Sequence, residues 1–213
     1  MDISPDGRWA LLGRDHDGLT LVATGTGTRR NVPLPSLEFG ATRFVGGTSR
    51  ALAVARSSTD SGYRLYSIDL DRSIATPLSE PIALDGSVLE ISPDSQWAAT
   101  SVVADEKAAS VLHPLSGGKP VTLTGLPPNV RPVGWASKDE LWFARVDQAD
   151  PSVIGLIRFD VRRGVTLQER TIGTGGPGFT GVLHLTPDGK NIVFGQQRTT
   201  GHLYVVRGLQ DAR

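Results

Sequence analysis

Asp2-Ile-Ser-Pro-Asp-Gly-Arg-Trp-Ala-Leu-Leu12 lies near the start of the chain, and its pattern returns twice. Glu90-Ile-Ser-Pro-Asp-Ser-Gln-Trp-Ala-Ala99 stands near the middle, and His184-Leu-Thr-Pro-Asp-Gly-Lys-Asn-Ile-Val-Phe194 near the end. Pro5 and Pro93 are 88 residues apart, and Pro93 and Pro187 are 94 apart. These are two steps of about 44 and two of about 47, the length of a four-stranded propeller blade. In each copy Pro presets φ, Asp bonds back to the backbone, and the third residue takes the positive φ that suits Gly. Pro5, Asp6, Gly7, Pro93, Asp94, Pro187, Asp188 and Gly189 are therefore read as structural turn formers. They link the first two strands of a repeat in a tight hairpin.

The rest of the chain fits the same unit. The first repeat supplies strands at Arg8–Gly13, Gly18–Ala23 and Arg30–Leu34. The second replaces the Pro turn by Gly46-Gly47-Thr48, with strands at Thr42–Val45, Ala51–Ala55 and Tyr63–Asp69. The third gives Ser87–Ile91, Trp97–Val103, Ala109–His113 and Pro120–Leu123. The fourth turns at Ser137-Lys138-Asp139 between Val130–Trp135 and Glu140–Arg145, then continues with Gly155–Asp160 and Thr166–Thr171. The fifth has Gly181–Leu185, Asn191–Gly195 and His202–Arg207. No segment keeps a 3.6-residue period over a helical length. The expectation is an all-β protein, a β-propeller of about five four-stranded blades in a single domain spanning 1–213. Its blades fall at approximately 1–36, 37–80, 81–126, 127–174 and 175–213.

The two ends do not complete each other. The first repeat has only about four residues before its turn, and the last stops after its third strand. A ring normally closes when one terminus supplies a strand to the blade begun by the other. The expectation is an incomplete part of a larger propeller, with a stand-alone five-bladed ring as the alternative. An open end would leave unpaired strand edges, which favour association.

Composition is that of an ordinary globular chain, 38% hydrophobic and 21% charged, neither disordered nor membranous. Lys and Arg number 22 and Asp and Glu 22, so the basic excess typical of a nucleic-acid binder is missing. There is no cysteine, which excludes disulfides, thiol nucleophiles and Cys-based metal sites. The first residues show neither a basic n-region nor an apolar h-region, so they do not read as a signal peptide. Apolar runs such as Ala51–Ala55 are far shorter than the roughly 20 residues of a membrane span. Compartment stays open: cytoplasmic by these residues, periplasmic if a longer parent protein is membrane-anchored.

A narrower likeness lies in the C-terminal half. His113-Pro-Leu-Ser-Gly-Gly-Lys-Pro-Val-Thr-Leu-Thr-Gly-Leu126, Arg131-Pro-Val-Gly-Trp-Ala136, Leu185-Thr-Pro-Asp-Gly-Lys190 and Leu203-Tyr-Val-Val-Arg-Gly-Leu209 carry it. The repeats resemble the broad TolB-like, PD40 (WD40-like) propeller class. These stretches resemble the C-terminal propeller of bacterial eukaryotic-like serine/threonine kinases. The resemblance implies a sensory or interaction domain attached to an effector. Kinase activity does not carry over, since the His-Arg-Asp loop, Asp-Phe-Gly and the Val-Ala-Ile-Lys strand are all lacking.

Candidate chemical sites are weak. Gly173-Thr-Gly175-Gly-Pro-Gly178 spells a dinucleotide fingerprint, but Pro177 and the strand-like Phe179–Leu185 replace the helix that must follow. Asp15-His16-Asp17 lacks the further oxygens and acidic closer of a calcium loop. The histidines at 16, 113, 184 and 202 are scattered, and His184 with His202 would still want a third zinc ligand. Ser49 lacks the second Gly of a nucleophile elbow and lies in a hairpin. Trp9 and Trp97 repeat one position, which points to packing between blades. Arg29-Arg30 and Arg162-Arg163 read as solvated turn residues.

No catalytic, cofactor-binding or metal residue is therefore assigned, and no cofactor is expected. The expected function is non-catalytic: a protein partner or small ligand held at one face of the propeller and the mouth of its channel, with no nucleic acid bound by this domain. A TolB-like periplasmic docking protein is the alternative. A hydrolase or lyase with a channel-bound metal is the enzymatic one. The latter would want inward His, Asp or Glu at equivalent positions, whereas Ile3, Phe44, Ile91, Trp135 and Leu185 are apolar.

Overall fold

The computed structural model describes residues 1–14, 18–81, 84–104, 107–146, 149–150, 152–174 and 179–196. They form five antiparallel sheets, and among them there is no helix. The first sheet holds β1 (Asp2–Ile3), β2 (Trp9–Arg14), β3 (Gly18–Ala23) and β4 (Arg29–Pro33), and the second β5 (Leu37–Phe44), β6 (Arg50–Ser57), β7 (Arg64–Asp69) and β8 (Ile74–Pro77). The third holds β9 (Leu84–Ile91), β10 (Trp97–Ala104), β11 (Lys107–Pro114) and β12 (Val121–Thr122). The fourth holds β13 (Arg131–Trp135), β14 (Glu140–Val146), β15 (Val153–Asp160) and β16 (Val165–Gly173), and the fifth pairs β17 (Phe179–Leu185) with β18 (Ile192–Gln196). Each sheet is a simple meander in which every strand pairs with the next along the chain.

The sheets are the blades of a β-propeller. Their first strands stand side by side in an arc, β1 beside β5, β5 beside β9, β9 beside β13 and β13 beside β17. Four of these inner strands carry a register shift against their second strand: β5, β9, β13 and β17. Such bulges bend and twist a strand locally; one further shift lies on the outer side of the fourth blade, between β15 and β16.

The hydrophobic core lies between blades. Leu11, Leu19 and Leu21 of the first pack against Phe44, Ala53 and Ile68 of the second. Leu52, Val54 and Leu65 of the second meet Leu89 and Ala98 of the third. Ala99 and Leu112 meet Trp135, Leu141, Phe143 and Phe159, where the two phenyl rings cross edge to face at 6.0 Å. Trp142, Ile154 and Leu156 meet Leu183 of the fifth. Alternation along each strand serves this arrangement, because both faces of a blade are buried against neighbours.

Two strands differ from the sequence expectation. The first blade does have an inner strand, but only Asp2 and Ile3 form it, opposite Leu11 and Ala10. The second blade has a fourth strand, β8, with no counterpart in the sequence pattern. Three of its four residues are exposed, so pairing with β7 through the backbone suffices to form it. The expected strand His202–Arg207 lies outside the described residues.

Candidate functional site

The three Pro-Asp turns share one hydrogen-bond scheme. Ser4 Oγ donates to Asp6 Oδ1 at 2.6 Å and accepts from the Trp9 amide at 2.9 Å, while the Arg8 amide donates to Asp6 Oδ1 at 3.0 Å. Ser92, Asp94, Gln96 and Trp97 repeat this, as do Thr186, Asp188, Lys190 and Asn191. The hydroxyl bond, the largest cause, holds each of the three carboxyls below the usual range. These carboxylates are spent on turn geometry. The residue with positive φ is Gly7, Ser95 or Gly189. The hydroxyl residue before each Pro is an unrecognised part of the motif, and its recurrence was the available signal.

The apolar first-strand positions do not describe the channel wall. Phe44, Ile91, Trp135 and Leu185 turn into the boundary with the preceding blade. The residues just before these four and before Ile3 are Asp2, Arg43, Glu90, Gly134 and His184. Asp2 Oδ2 accepts from the Phe44 amide of the next blade at 2.8 Å. Arg43 Nη2 meets Glu90 Oε1 of the next blade at 2.9 Å, with both side chains about one-fifth exposed. Over the first three blades the inner arc thus carries charge of alternating sign, tied blade to blade.

A second polar constellation sits at the other end of the second blade, away from the β5–β6 turn. Glu38 and Arg56 are cross-strand partners, joined by Arg56 Nε and Nη2 to Glu38 Oε2 at 2.9 and 2.8 Å. Tyr63 donates to Glu38 Oε1 at 3.2 Å, and the guanidinium lies over its ring at 5.4 Å. Alongside, Asp60 accepts from Arg64 at 2.7 Å and from the Tyr66 hydroxyl at 3.4 Å. Burial, then the neighbouring carboxylates, raise both phenol pKa values. Ser36, Glu38, Arg56, Ser57, Ser58 and Asp60 enclose a polar hollow of about 270 Å³.

The remaining sequence candidates stay apart. His113 is buried, its Nε2 2.9 Å from Thr100 Oγ1, and burial lowers its pKa. His184 is exposed on β17; His16, His202, Asp15, Asp17, Gly175 and Gly178 lie outside the described residues. Gly173 closes β16, and Ser49 sits in the β5–β6 turn. Arg30 pairs with Asp71 at 2.8 Å, and the Arg162 and Arg163 amides donate to Asp160. Trp9 and Trp97 are half-buried and pack on the cores of two blade boundaries. Among the described residues, no three His, Asp or Glu converge to hold a metal, and no helix is long and apolar enough to cross a membrane.

No protein-family model matches the chain, and no curated protein matches it in sequence. Solved structures do resemble it. TolB from Acinetobacter baumannii superposes with a TM-score of 0.68 at 14% identity, over 92% of this chain and 48% of TolB. Regucalcin from Agrobacterium tumefaciens, a calcium-binding protein, gives 0.58 at 17% identity, over 91% of this chain and 65% of that protein. A prolyl endopeptidase gives 0.58 at 12%, over 93% of this chain and 31% of that enzyme. The chain spans about half the length of TolB. These proteins differ in function, and a shared scaffold at such identities carries no activity with it; what this chain shares with them is the TolB-like β-propeller fold.

Proposed function

We propose that this propeller is a non-catalytic binding platform in a larger bacterial signalling protein, engaging a protein partner or small ligand through the end that carries Glu38, Arg56 and Tyr63. The observation carrying this is the paired carboxylate, guanidinium and phenol constellation on the second blade. Tyr and Arg are the side chains most enriched where proteins bind one another. The charges of Arg56 and Arg64 are balanced by Glu38 and Asp60, so a partner meets an ordered polar surface. The inner arc is used differently: Asp2, Arg43 and Glu90 are tied to neighbouring blades, which suits a structural belt better than acid–base chemistry. The resemblance of His113–Leu126 and Leu203–Leu209 to kinase-linked propellers supports the signalling context.

The test is site-specific photocrosslinking in the native cell. A photoreactive residue at Ser58 should give discrete adducts, and one at Leu167, exposed on an outer strand, should give none. Arg56→Glu should abolish the Ser58 adducts. Adducts from Leu167 but not Ser58 would place the interface elsewhere and overturn the proposal.

A further inference from the structure

Backbone hydrogen bonds across the hairpin turns fix which residues are equivalent from blade to blade. The turn-opening amide donates to the carbonyl of Trp9 from Ser4, of Arg50 from Val45, of Trp97 from Ser92, of Glu140 from Ala136 and of Asn191 from Thr186. In the first four blades, side chains at this position or two residues further along face the following blade. Trp9 fills the first boundary and Trp97 the third. At the fourth the indole comes two residues later, from Trp142, which is 1% exposed and donates to the Pro187 carbonyl at 3.4 Å. At the second boundary the two positions are Arg50 and Leu52. There no indole is supplied, and the facing inner strand offers Ile91 where Phe44 and Trp135 stand at its neighbours.

The missing volume is a cleft. Val45, Leu52, Leu78 and Leu115 form the apolar walls of a cavity of about 220 Å³, which Arg50 also lines. Leu78 is shared with a wider groove of about 550 Å³ further along the same seam, beside Leu65, His113 and Lys119. Ser67, Ser95, Gln96 and Ser116 add neutral hydrogen-bonding groups to the smaller cavity, and Arg50 is its single charged lining residue. Among the described residues the Arg50 side chain makes no hydrogen bond or ion pair. By contrast Arg30 at the first boundary, and Arg43 on the inner arc of this same second boundary, are both matched to carboxylates.

We propose that the seam between the second and third blades binds a small organic carboxylate with a compact apolar body. A guanidinium recognises a carboxylate through two parallel N–H···O bonds. The aliphatic walls take the body, and the serine hydroxyls and Gln96 amide set its orientation. Length of the body is set by Leu78, beyond which the seam widens. This site is separate from the Glu38–Arg56–Tyr63 surface and stands or falls independently of it.

A methyl-resolved NMR titration of the full chain with isocaproate, and in parallel with isocaproamide, tests the assignment. For an anchor of this size millimolar binding is the scale, so about 10 mM probe suffices. Isocaproate should shift the methyls of Val45, Leu52, Leu78 and Leu115 together, and the amide should bind at least about tenfold more weakly. Arg50→Gln, a change at an exposed strand end, should remove the preference for the acid while the spectrum keeps the dispersion of the folded chain. Silent seam methyls, equal response to acid and amide, or an unchanged preference in Arg50→Gln would each overturn the proposal.

Discussion

The first and second blade boundaries are built from the same strands of successive repeats, yet their outer sides are closed differently. At the first, Trp9 covers a continuous core of Leu11, Leu19, Leu21, Phe44 and Ile68, and Arg30 and Asp71 bridge the outer rim, both substantially exposed. At the second, Arg50 replaces Trp9, the core is Ala41, Leu52, Val54, Leu65, Leu89 and Ala98, and the ion pair Arg43–Glu90 lies on the inner arc. Both are pinned on the inner arc, the first through Asp2 and the Phe44 amide; the first is also sealed outward, whereas the second opens outward. An indole at either of two positions in the repeat, as at Trp9, Trp97 or Trp142, makes a packing boundary, and its lack at Arg50 and Leu52 leaves a cleft. An indole buries far more apolar surface than the stem of an arginine, and an arginine keeps its head in water.

The largest break in the comparison comes from removing an indole where it is fully buried. Trp142→Ala should lower unfolding free energy by about 3–5 kcal/mol in urea denaturation, because Trp142 is packed among Ile154, Leu156 and Leu183 and flanked by the guanidinium groups of Arg158 and Arg170. The contact with the fifth blade is tight: a Cβ added to Gly189, at φ +71, would lie 2.5 Å from the indole. Trp97→Ala, at a half-buried plug, should cost less, about 2 kcal/mol. A Trp97 variant as stable as the parent would remove the plug from the account of the third boundary.

Filling the cleft sharpens the same contrast from the other side. Arg50→Trp should leave stability unchanged or raise it by about 0.5–1 kcal/mol, as cavity-filling substitutions do, and should block carboxylate binding. A loss of more than about 1 kcal/mol would mean the seam has no room for an indole. The smallest effect concerns His113, at the outer side of this seam. Burial holds its imidazole pKa below the ordinary 6.5, so the unfolded chain binds the proton more readily. Stability should therefore fall as pH drops through 6.5 toward the lowered folded value, and be fully present above 6.5. His113→Gln should flatten that slope in denaturation curves taken between those limits.

Much of the fold was legible because its signals are local. The Pro-Asp turns at Pro5, Pro93 and Pro187 carry their own geometry, and the strands that follow are largely apolar. What stayed hidden depends on equivalence between repeats. The second repeat turns through Gly46-Gly47, and the fourth turn is one residue shorter, so the equivalence of Arg50 and Glu140 with Trp9 and Trp97 has no signature along the chain. The row Asp2, Arg43, Glu90 was hidden for the same reason. The apolar residues one step later, which face blade boundaries, dominate the pattern along the chain. β8 escaped because an exposed edge strand needs no buried pattern. The constellation of Glu38, Arg56 and Tyr63 is assembled by cross-strand register and has no spacing signature along the chain.

The absence of native cysteine makes one measurement a direct test of boundary inequality. Leu11 and Leu52 occupy the same position in the first two repeats, and they are 0% and 2% exposed. Placed singly as cysteine, they should differ in rate of labelling by a small thiol reagent under native conditions. Leu52→Cys should react at least about tenfold faster than Leu11→Cys, since a residue in a thinly packed seam opens to solvent at lower cost. Equal protection of the two cysteines would contradict an open second boundary, and with it the cleft.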